Sequence, residues 1–260
     1  MGRLVVGLLM VFMTLPTVVV ILASFNPTAM LAVPPAGLSV RWYVNALTYP
    51  QFQRAALHSL FVTGLTVAIA LPMGTAAALA LVRRRVLGRA ALEALFLSPL
   101  VVPGVAAGLG FLILAARLQL LQSFAVLVAA HVIVVLPFVV RSVSVSVASL
   151  DPMLERAAAS LGAPPARVFR RVTLPLLRPG LVAAVIFAVL VSVNEFVVSL
   201  FVSTRVTEIL PVAMFTYVVN YTDPTMAALS TLFIVATFAA VLVADRFLDL
   251  SRVFQIHDAP

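Results

Sequence analysis

Chemically reactive side chains are rare in this sequence, and one carboxylate stands out because an apolar segment surrounds it. Glu195 is the only acidic residue deep within a segment predicted to cross a membrane. A charge at that depth costs about 2.5 kcal/mol or more, so Glu195 is expected to face a partner or a wet pathway. The spacing i, i+3, i+7 predicts that Ser192 and Ser199 share its helical face, with Asn194 adjacent. These four residues form a candidate polar path.

Glu195 has two interpretations. It is either a polar gate or transient cation contact on a path, or a buried acid that is protonated or hydrogen-bonded to neighbouring helices. Ionisable residues inside membranes are functional by default, which favours the first interpretation. His131 is the other titratable residue in an apolar segment. Because it has no candidate metal partners in the sequence, it is predicted to be a hydrogen-bonded packing residue without a site role.

The residue types that are missing exclude several classes of chemistry. The chain has no cysteine, which excludes disulfides, thiolate zinc sites and cysteine nucleophiles. All 17 cationic residues are arginine, so the lysine of a nucleotide-binding G-x-x-x-x-G-K-[ST] loop is also missing. The sequence also shows no H-E-x-x-H motif, nucleophile elbow or paired carboxylates. We therefore expect no catalytic residue, metal site or bound cofactor in this chain. Any ATP hydrolysis would belong to another polypeptide.

The composition indicates that most of this chain lies in lipid. Of its 260 residues, 63% are hydrophobic and 10% charged, whereas soluble domains carry about a quarter charged residues. The net charge of +8 comes from arginines that cluster beside apolar runs, which favours membrane-topology signals over a nucleic-acid surface. The fold class is therefore an all-α integral membrane protein with six transmembrane helices. The predicted spans are Leu4–Ala23, Leu57–Val82, Leu92–Ala116, Phe124–Val140, Leu181–Val202 and Met226–Ala244.

The distribution of arginines predicts the orientation. A cytoplasmic N-terminus places 13 of the 17 arginines on the inner side and four on the outer side, so both termini are predicted to be cytoplasmic. The chain then divides into a first helix (1–24), a periplasmic loop (25–56), a membrane core (57–250) and a cytoplasmic tail (251–260). Within the core, residues 141–180 form a long cytoplasmic loop.

That loop contains the signals of a short helix. Asp151 and Pro152 suit the cap and first position of a helix, and Glu155 suits its positive first turn. Gly162 is a natural stop. One apolar stripe runs along the helix through Leu154, Ala157, Ala158 and Leu161. The stripe could enter a partner's groove or pack on the ends of this chain's own spans, and amphipathicity alone favours the second interpretation.

Residues 154–163 (LERAAASLGA) and 172–175 (VTLP) resemble the EAA loop of ABC importer permeases. That family's pattern is E-A-A, three residues, G, nine residues, then I-x-L-P, and it fits here without a gap. The resemblance implies that this loop docks on a separate ATPase. The implied ATPase-coupling residues are Asp151, Leu154, Glu155, Arg156, Ala157, Ala158, Leu161, Gly162, Leu174 and Pro175.

The sequence departs from the family's pattern at one position. Arg156 occupies the place of the family's glutamate, and Glu155 lies one residue earlier, about 100° around a helix. Docking through Ala157, Ala158 and Gly162 is expected to survive this change. The polar contacts of the helix are expected to be rearranged.

Further motifs resemble the spermidine/putrescine permease family, in its second-permease type, from about Leu38 to Arg246. They are RWY at 41–43 with HSL at 58–60, PLVVPG at 99–104, LPFVVR at 136–141, and NEF at 194–196 through ILP at 209–211. The resemblance implies a type I importer fold in the bacterial inner membrane. It also implies an ATPase dimer that binds ATP and magnesium, a second homologous permease forming a heterodimer rather than a homodimer, and a periplasmic or extracellular binding protein.

The solute is less defined than the class of transporter. The family implies a small polar or cationic solute such as a polyamine, and it has acidic residues at both positions 194 and 195. Asn194 halves that negative charge, which leaves room for a singly charged or zwitterionic ligand. Alternatives are an amino-acid-like, opine, phosphonate or metal ligand of the same importer class. An ion-gradient transporter is a further alternative, although the sequence shows only Glu195 and no evident repeat.

Overall fold

The computed structural model describes residues 2–29, 32–83 and 87–248, and every regular element in those ranges is helical. The α-helices are Gly2–Ser24 (α1), Arg41–Thr48 (α2), Pro50–Arg83 (α3), Arg89–Leu97 (α4), Gly104–Arg117 (α5), Phe124–Ala148 (α6), Pro152–Ser160 (α7), Pro165–Val168 (α8), Leu174–Leu176 (α9), Arg178–Asn194 (α10), Val197–Val202 (α11), Leu210–Asn220 (α12) and Thr225–Leu248 (α13). A 3₁₀ turn occupies Ser98–Leu100 and a π-helical turn occupies Phe169–Thr173. The predicted tail 251–260 lies outside the described residues.

Within the described ranges, three helices are long and apolar enough to cross a membrane: Leu4–Ser24, α3 and α6. The number rises to five if each of two bent helix pairs counts as one span; these pairs are Arg89–Leu100 with Gly104–Arg117, and Pro165–Leu176 with Arg178–Asn194. The last predicted span falls on α13, where the shorter segment Thr225–Ala239 is apolar. The all-helical membrane fold is confirmed, while six spans and cytoplasmic termini stay predictions.

Two predicted spans are wrong as continuous helices. Leu92–Ala116 is interrupted between α4 and α5, whose axes bend by 96°. Pro99 and Pro103 lie at this break, and each lacks the amide hydrogen that a continuing helix would use. Leu181–Val202 is interrupted between α10 and α11. Hydropathy alone does not detect such breaks, because the side chains on both sides are apolar.

Other helices extend beyond the predicted boundaries. The span predicted as Phe124–Val140 continues in α6 to Ala148, so the loop predicted at 141–180 begins with about two more helical turns. The predicted outer loop 25–56 contains α2 and the start of α3. Helix α12 lies between Val202 and Met226, where the sequence predicted no span.

One compact unit comprises Met1–His58 and Glu208–Leu242. The Tyr217 hydroxyl donates to Asp223 Oδ2 at 2.9 Å, and the Tyr49 ring meets the Tyr217 ring edge-on with centroids 5.4 Å apart. Asn45 Nδ2 donates to Thr225 Oγ1 at 2.8 Å. Helix α12 is therefore part of a core and not a solvated loop. The buried members of this core are Ala46, Phe52, Ala55, Ala213, Tyr217 and Leu229.

The other unit contains residues Ser59–Thr207 and is built around the pairing of α6 with α10. Helix α10 presents a small buried residue at every fourth position: Gly180, Ala184, Ala188 and Ser192. Small residues let two helix backbones approach closely inside a membrane. A Cβ atom at Gly180 would overlap Ser146 of α6. Helix α11 packs on α5 in the same way, because a Cβ at Gly108 would lie 2.5 Å from the Phe201 ring.

Gly74 of α3 tests a further close contact of this kind, between α3 and α6. A Cβ there would lie 2.5 Å from Val139 Cγ1, whereas a Cβ at Gly64 of the same helix would meet nothing within 4 Å. Gly74→Ala is expected to destabilise the protein by about 1–3 kcal/mol, the usual cost of overpacking. Gly64→Ala is expected to be neutral or stabilising. Thermal unfolding of both variants in the same lipid or detergent measures the difference, and equal stability would contradict the packing.

Candidate functional site

The short helix predicted in the long loop is present as α7, and its two ends form as the sequence indicates. Asp151 caps the start, because its Oδ1 accepts from the Met153 amide at 2.8 Å, and Pro152 occupies the first helical position. Gly162 follows the end in a left-handed conformation with φ of 81°. The amide of Ala163 donates to the Ala158 carbonyl at 3.2 Å, which closes the C-terminus as in a Schellman motif.

The apolar stripe of α7 faces outward in the described structure. Leu154 is 48% exposed, Leu161 is 90% exposed, and no residue of the helix is buried. Ala157 is exposed and Ala158 is half-buried. The stripe therefore does not pack on the ends of this chain's own spans, the interpretation that amphipathicity alone favours. An apolar face of this kind is available to a partner.

Glu155 points the other way and fixes α7 to the rest of its unit. Its Oε2 accepts from Arg83 Nη1 in an ion pair, and its Oε1 accepts from the Thr173 hydroxyl. Arg83 ends α3, and Thr173 ends the π-helical turn, so one carboxylate joins three elements. Both charged side chains are only about a quarter exposed. The sequence predicts Glu155 in the coupling region but indicates neither of these partners.

The remaining predicted coupling residues lie on the surface or at the other end of the loop. Arg156, at the place of the family's glutamate, is exposed. Leu174 is 37% exposed and begins α9, and Pro175 is half-buried beside it. Helix α7 contacts α8 and the π-helical turn, and α9 follows that turn directly. The ten predicted residues thus belong to one continuous segment held against the end of α3 by Glu155.

The candidate polar path has a different geometry from the predicted single helical face. Helix α10 ends at Asn194, and Glu195 is extended. The carboxylate Oε1 accepts from the Val198 amide at 2.8 Å, which satisfies one of the free donors at the start of α11. The predicted shared helical face of Ser192, Glu195 and Ser199 is therefore wrong, because α10 ends at Asn194 and the three residues do not lie on one continuous helix.

Glu195 lines a cavity of about 330 Å³ beside the break between α4 and α5. The cavity is otherwise mostly apolar, and its walls include Pro99, Gly104, Phe111 and Ile133. Asn194, the residue before Glu195, is exposed, and its Nδ2 donates to the Leu190 carbonyl at 2.8 Å. One carboxylate in an apolar cavity is suited to contact a cation.

Ser192 and Ser199 are brought together at His131 of α6. His131 Nδ1 lies 2.9 Å from Ser192 Oγ, and Nε2 lies 2.9 Å from Ser199 Oγ. All three residues are at most 1% exposed. The prediction that His131 is a hydrogen-bonded packing residue is confirmed. Its two serine partners lie 61 and 68 residues away along the chain, and no sequence pattern indicates them.

Broken apolar spans that hold an ionisable side chain, together with an exposed capped helix on a loop, are features of a membrane transport subunit. Among the described residues, no group of three or more His, Cys, Asp or Glu could hold a metal ion. The family described as "Binding-protein-dependent transport system inner membrane component" matches residues 70–252, and the chain belongs to this family. It is therefore a permease component of a transport system.

Curated relatives cover nearly the whole chain. The putrescine transport system permease protein PotI of Escherichia coli is 31% identical over 264 residues, which cover 98% of this chain and 94% of that protein. The spermidine/putrescine transport system permease protein PotC of Haemophilus influenzae is 28% identical over 234 residues, or 90% and 91% of the two chains. The resemblance to the spermidine/putrescine permease family is confirmed.

A solved structure supports the fold independently. It belongs to a bacterial ABC transporter that imports the polysaccharide alginate. Its chain superposes with a TM-score of 0.73 at 15% sequence identity, over 98% of this chain and 95% of that one. A second structure of a bacterial alginate ABC transporter contains a bound periplasmic protein and gives a TM-score of 0.72 over 94% of this chain and 92% of that chain, at 15% identity. The helical fold is that of ABC importer transmembrane domains.

The contacts of Glu155 predict its effect on α7. Glu155→Gln removes the charge that pairs with Arg83, and hydrogen bonds to charged groups contribute about 1.5–3 kcal/mol. Amide exchange in residues 152–160 is therefore expected to accelerate about tenfold or more. Glu93→Gln is the matched control, because Glu93 pairs with Arg89 one turn away on an exposed surface. Unchanged exchange in the Glu155 variant would show that the ion pair does not hold the helix.

Proposed function

We propose that this chain is one permease subunit of a bacterial ABC importer that moves a small polar or cationic solute inward, driven by ATP hydrolysis on a separate subunit. The observation that carries the proposal is α7, a capped helix with an exposed apolar stripe in the segment that matches the EAA loop. A rigid, slim helix of this kind fits a groove on a partner. Family membership supports the transport role.

The proposed topology is a type I importer fold in the inner membrane with six spans and both termini in the cytoplasm. The bias of arginines toward one side supports this orientation. Counting the bent segment from α4 to α5, the segment from α10 to α11 and α13 as one span each, beside α1, α3 and α6, brings the proposed number to six. The membrane core is proposed to run from residue 57 to 250, with the cytoplasmic coupling loop at 141–180. Residues 25–56 would then be periplasmic.

The proposed assembly has four kinds of component. This chain is the first component. ATP and magnesium are assigned to two separate ATPase subunits, because this chain lacks the lysine of a phosphate-binding loop. A second homologous permease completes the path, and a heterodimer is favoured by the second-permease type of the similar family. A periplasmic binding protein delivers the solute, as supported by the solved alginate transporter complex of similar fold.

The proposed coupling mechanism follows from how α7 is held. Closure of the ATPases would push on the exposed stripe through Leu154, Ala157, Ala158 and Leu161. Because Glu155 ties the helix to Arg83 at the end of α3, the push would reach a membrane span without first bending the loop. Movement of the helices that flank the loop would then open the path to one side or the other.

A polyamine-like solute is the proposed cargo, on the basis of the named relatives. Glu195 and Asn194 are proposed to line the path, with Ser192 and Ser199 in the buried layer behind them. A single carboxylate also suits an amino-acid-like, opine or phosphonate ligand that carries one positive charge. A metal ligand finds less support, because a lone carboxylate supplies few of the oxygens that a cation needs.

Gly162 tests the coupling role of α7. Its φ of 81° favours glycine, so Gly162→Val is expected to strain the end of α7 and uncouple uptake from ATP hydrolysis. Gly88→Val is the matched control, since Gly88 has φ of 73° and equally open surroundings outside the coupling segment. Uptake and ATPase activity of the whole importer should be measured together in both variants.

Coupled uptake at the normal rate in Gly162→Val, with the protein folded, would count against the coupling helix. Uptake that persists after the ATPase subunit is removed would instead favour a transporter driven by an ion gradient.

Glu195→Gln tests the proposed path. The glutamine retains an oxygen that can accept from the Val198 amide, so the start of α11 should be preserved while the charge is lost. The KM for putrescine uptake is expected to rise about tenfold, equivalent to about 1.4 kcal/mol. Glu208→Gln is the control, because Glu208 bonds Gln51 in the other unit. An unchanged KM would identify Glu195 as a structural acid.

A further inference from the structure

His131 lies between the two ends of a broken helix. Ser192 comes three residues before Glu195, in the last turn of α10, and Ser199 comes four residues after it, in α11. Each ring nitrogen of His131 is 2.9 Å from one of these hydroxyls. One imidazole on a third helix, α6, therefore spans the break.

The contact extends to a fourth helix. Thr63 Oγ1 of α3 lies 3.0 Å from Ser192 Oγ, so the ring and three hydroxyls form one chain of hydrogen bonds. Thr63 is also buried, and Val128, Val132 and Val135 of α6 are buried on either side of His131. A buried network whose members are all satisfied is rigid, because losing one partner leaves another polar group without one.

Helix α11 depends on such contacts for its orientation. It has only six residues, too few to be stable as an isolated helix. In the described structure it is held by Glu195 at its first turn, by Ser199 on His131, and by Phe201 against Gly108. The Ser199 contact fixes α11 to α6, and the same His131 ring binds Ser192 of α10.

We propose that His131 is a positioning residue that clips α10 to α11 across their break and thereby directs the Glu195 carboxylate into the cavity beside the α4–α5 break. The ring does not line the cavity and acts through the two serines. Each serine hydroxyl can donate or accept, so either tautomer of the ring completes the clip. The transport consequence rests on the proposed role of Glu195, whereas the geometric consequence does not.

A distance measurement tests the clip without reference to transport. This chain has no cysteine, so Phe187→Cys on α10 and Leu200→Cys on α11 become its only thiols for spin labels, and both native residues are exposed; the chain is labelled before it is assembled with its partners. Double electron–electron resonance on the assembled importer is expected to show a broader or shifted distance distribution in His131→Leu. His131→Gln keeps one donor and one acceptor and is expected to restore the narrow distribution.

Val135→Ala controls for lost packing, because Val135 lies one turn further along α6 and is fully buried. It is expected to leave the distribution unchanged. If His131→Leu does not fold, Ser199→Ala removes a single contact with little change in volume and is expected to broaden the same distribution. An unchanged distribution in the folded variant, or an equal change in Val135→Ala, overturns the proposal.

Transport then tests whether the clip acts through Glu195. His131→Leu is expected to raise the KM for putrescine about threefold to tenfold, in line with the loss of buried hydrogen bonds, with a smaller effect on kcat. In a Glu195→Gln background the same change is expected to leave KM within about twofold. Full additivity of the two substitutions would overturn the positioning role. If Glu195→Gln alone has no effect, the proposed path fails, while the distance measurement still decides the clip.

Discussion

Lipid cannot hydrate a polar group, so every polar atom exposed by a break in a span needs a partner within the protein. The break between α10 and α11 meets this constraint with side chains. The carboxylate of Glu195 accepts the Val198 amide, and His131 binds both Ser192 and Ser199. The break is therefore a defined structure that fixes the position of the Glu195 side chain, rather than a weak point in a helix. The small-residue seam of α10 brings α6 close enough for these bonds to form.

At the end of α3 the polar groups are partly exposed, so they depend less on partners within the protein. Glu155 joins Arg83 and Thr173 in an environment that is still about a quarter exposed, so a full ion pair is tolerated. The two polar centres have different mechanical effects. The one at Glu155 fixes a surface helix to the end of α3, and in the proposed mechanism force passes between them through this contact. The one at His131 joins α10 to α11, and the proposed consequence is that the Glu195 side chain keeps its position.

Features encoded by neighbouring residues could be predicted from the sequence, and features that depend on distant residues could not. The start and stop of α7 follow from Asp151, Pro152 and Gly162, which act within one turn, and the structure confirms them. The helix breaks after Leu97 and Asn194 were not predicted, because hydropathy measures how apolar a segment is and carries no information on the direction of the helix axis. The Arg83–Glu155 pair spans 72 residues of sequence, and periodicity gives no sign of such a contact. The sequence predicted a packing role for His131 but had no means to locate the two serines.

The sequence departs from its family's pattern at Arg156 and at Asn194, and the structure shows the surroundings of both residues. Glu155 lies one residue before the family's glutamate and turns inward to Arg83, which leaves Arg156 on the exposed side of α7. A partner groove that receives this helix must therefore accommodate a cation where the family presents an acid. Asn194 likewise occupies the second of the family's two acidic positions, directly before Glu195 and at the end of α10. Both changes alter charge at a contact surface and leave the helix ends intact. Charge at such a surface affects how a partner or solute is recognised, whereas caps and breaks determine the course of the backbone, so the two substitutions are expected to change polar contacts and to leave the fold unchanged.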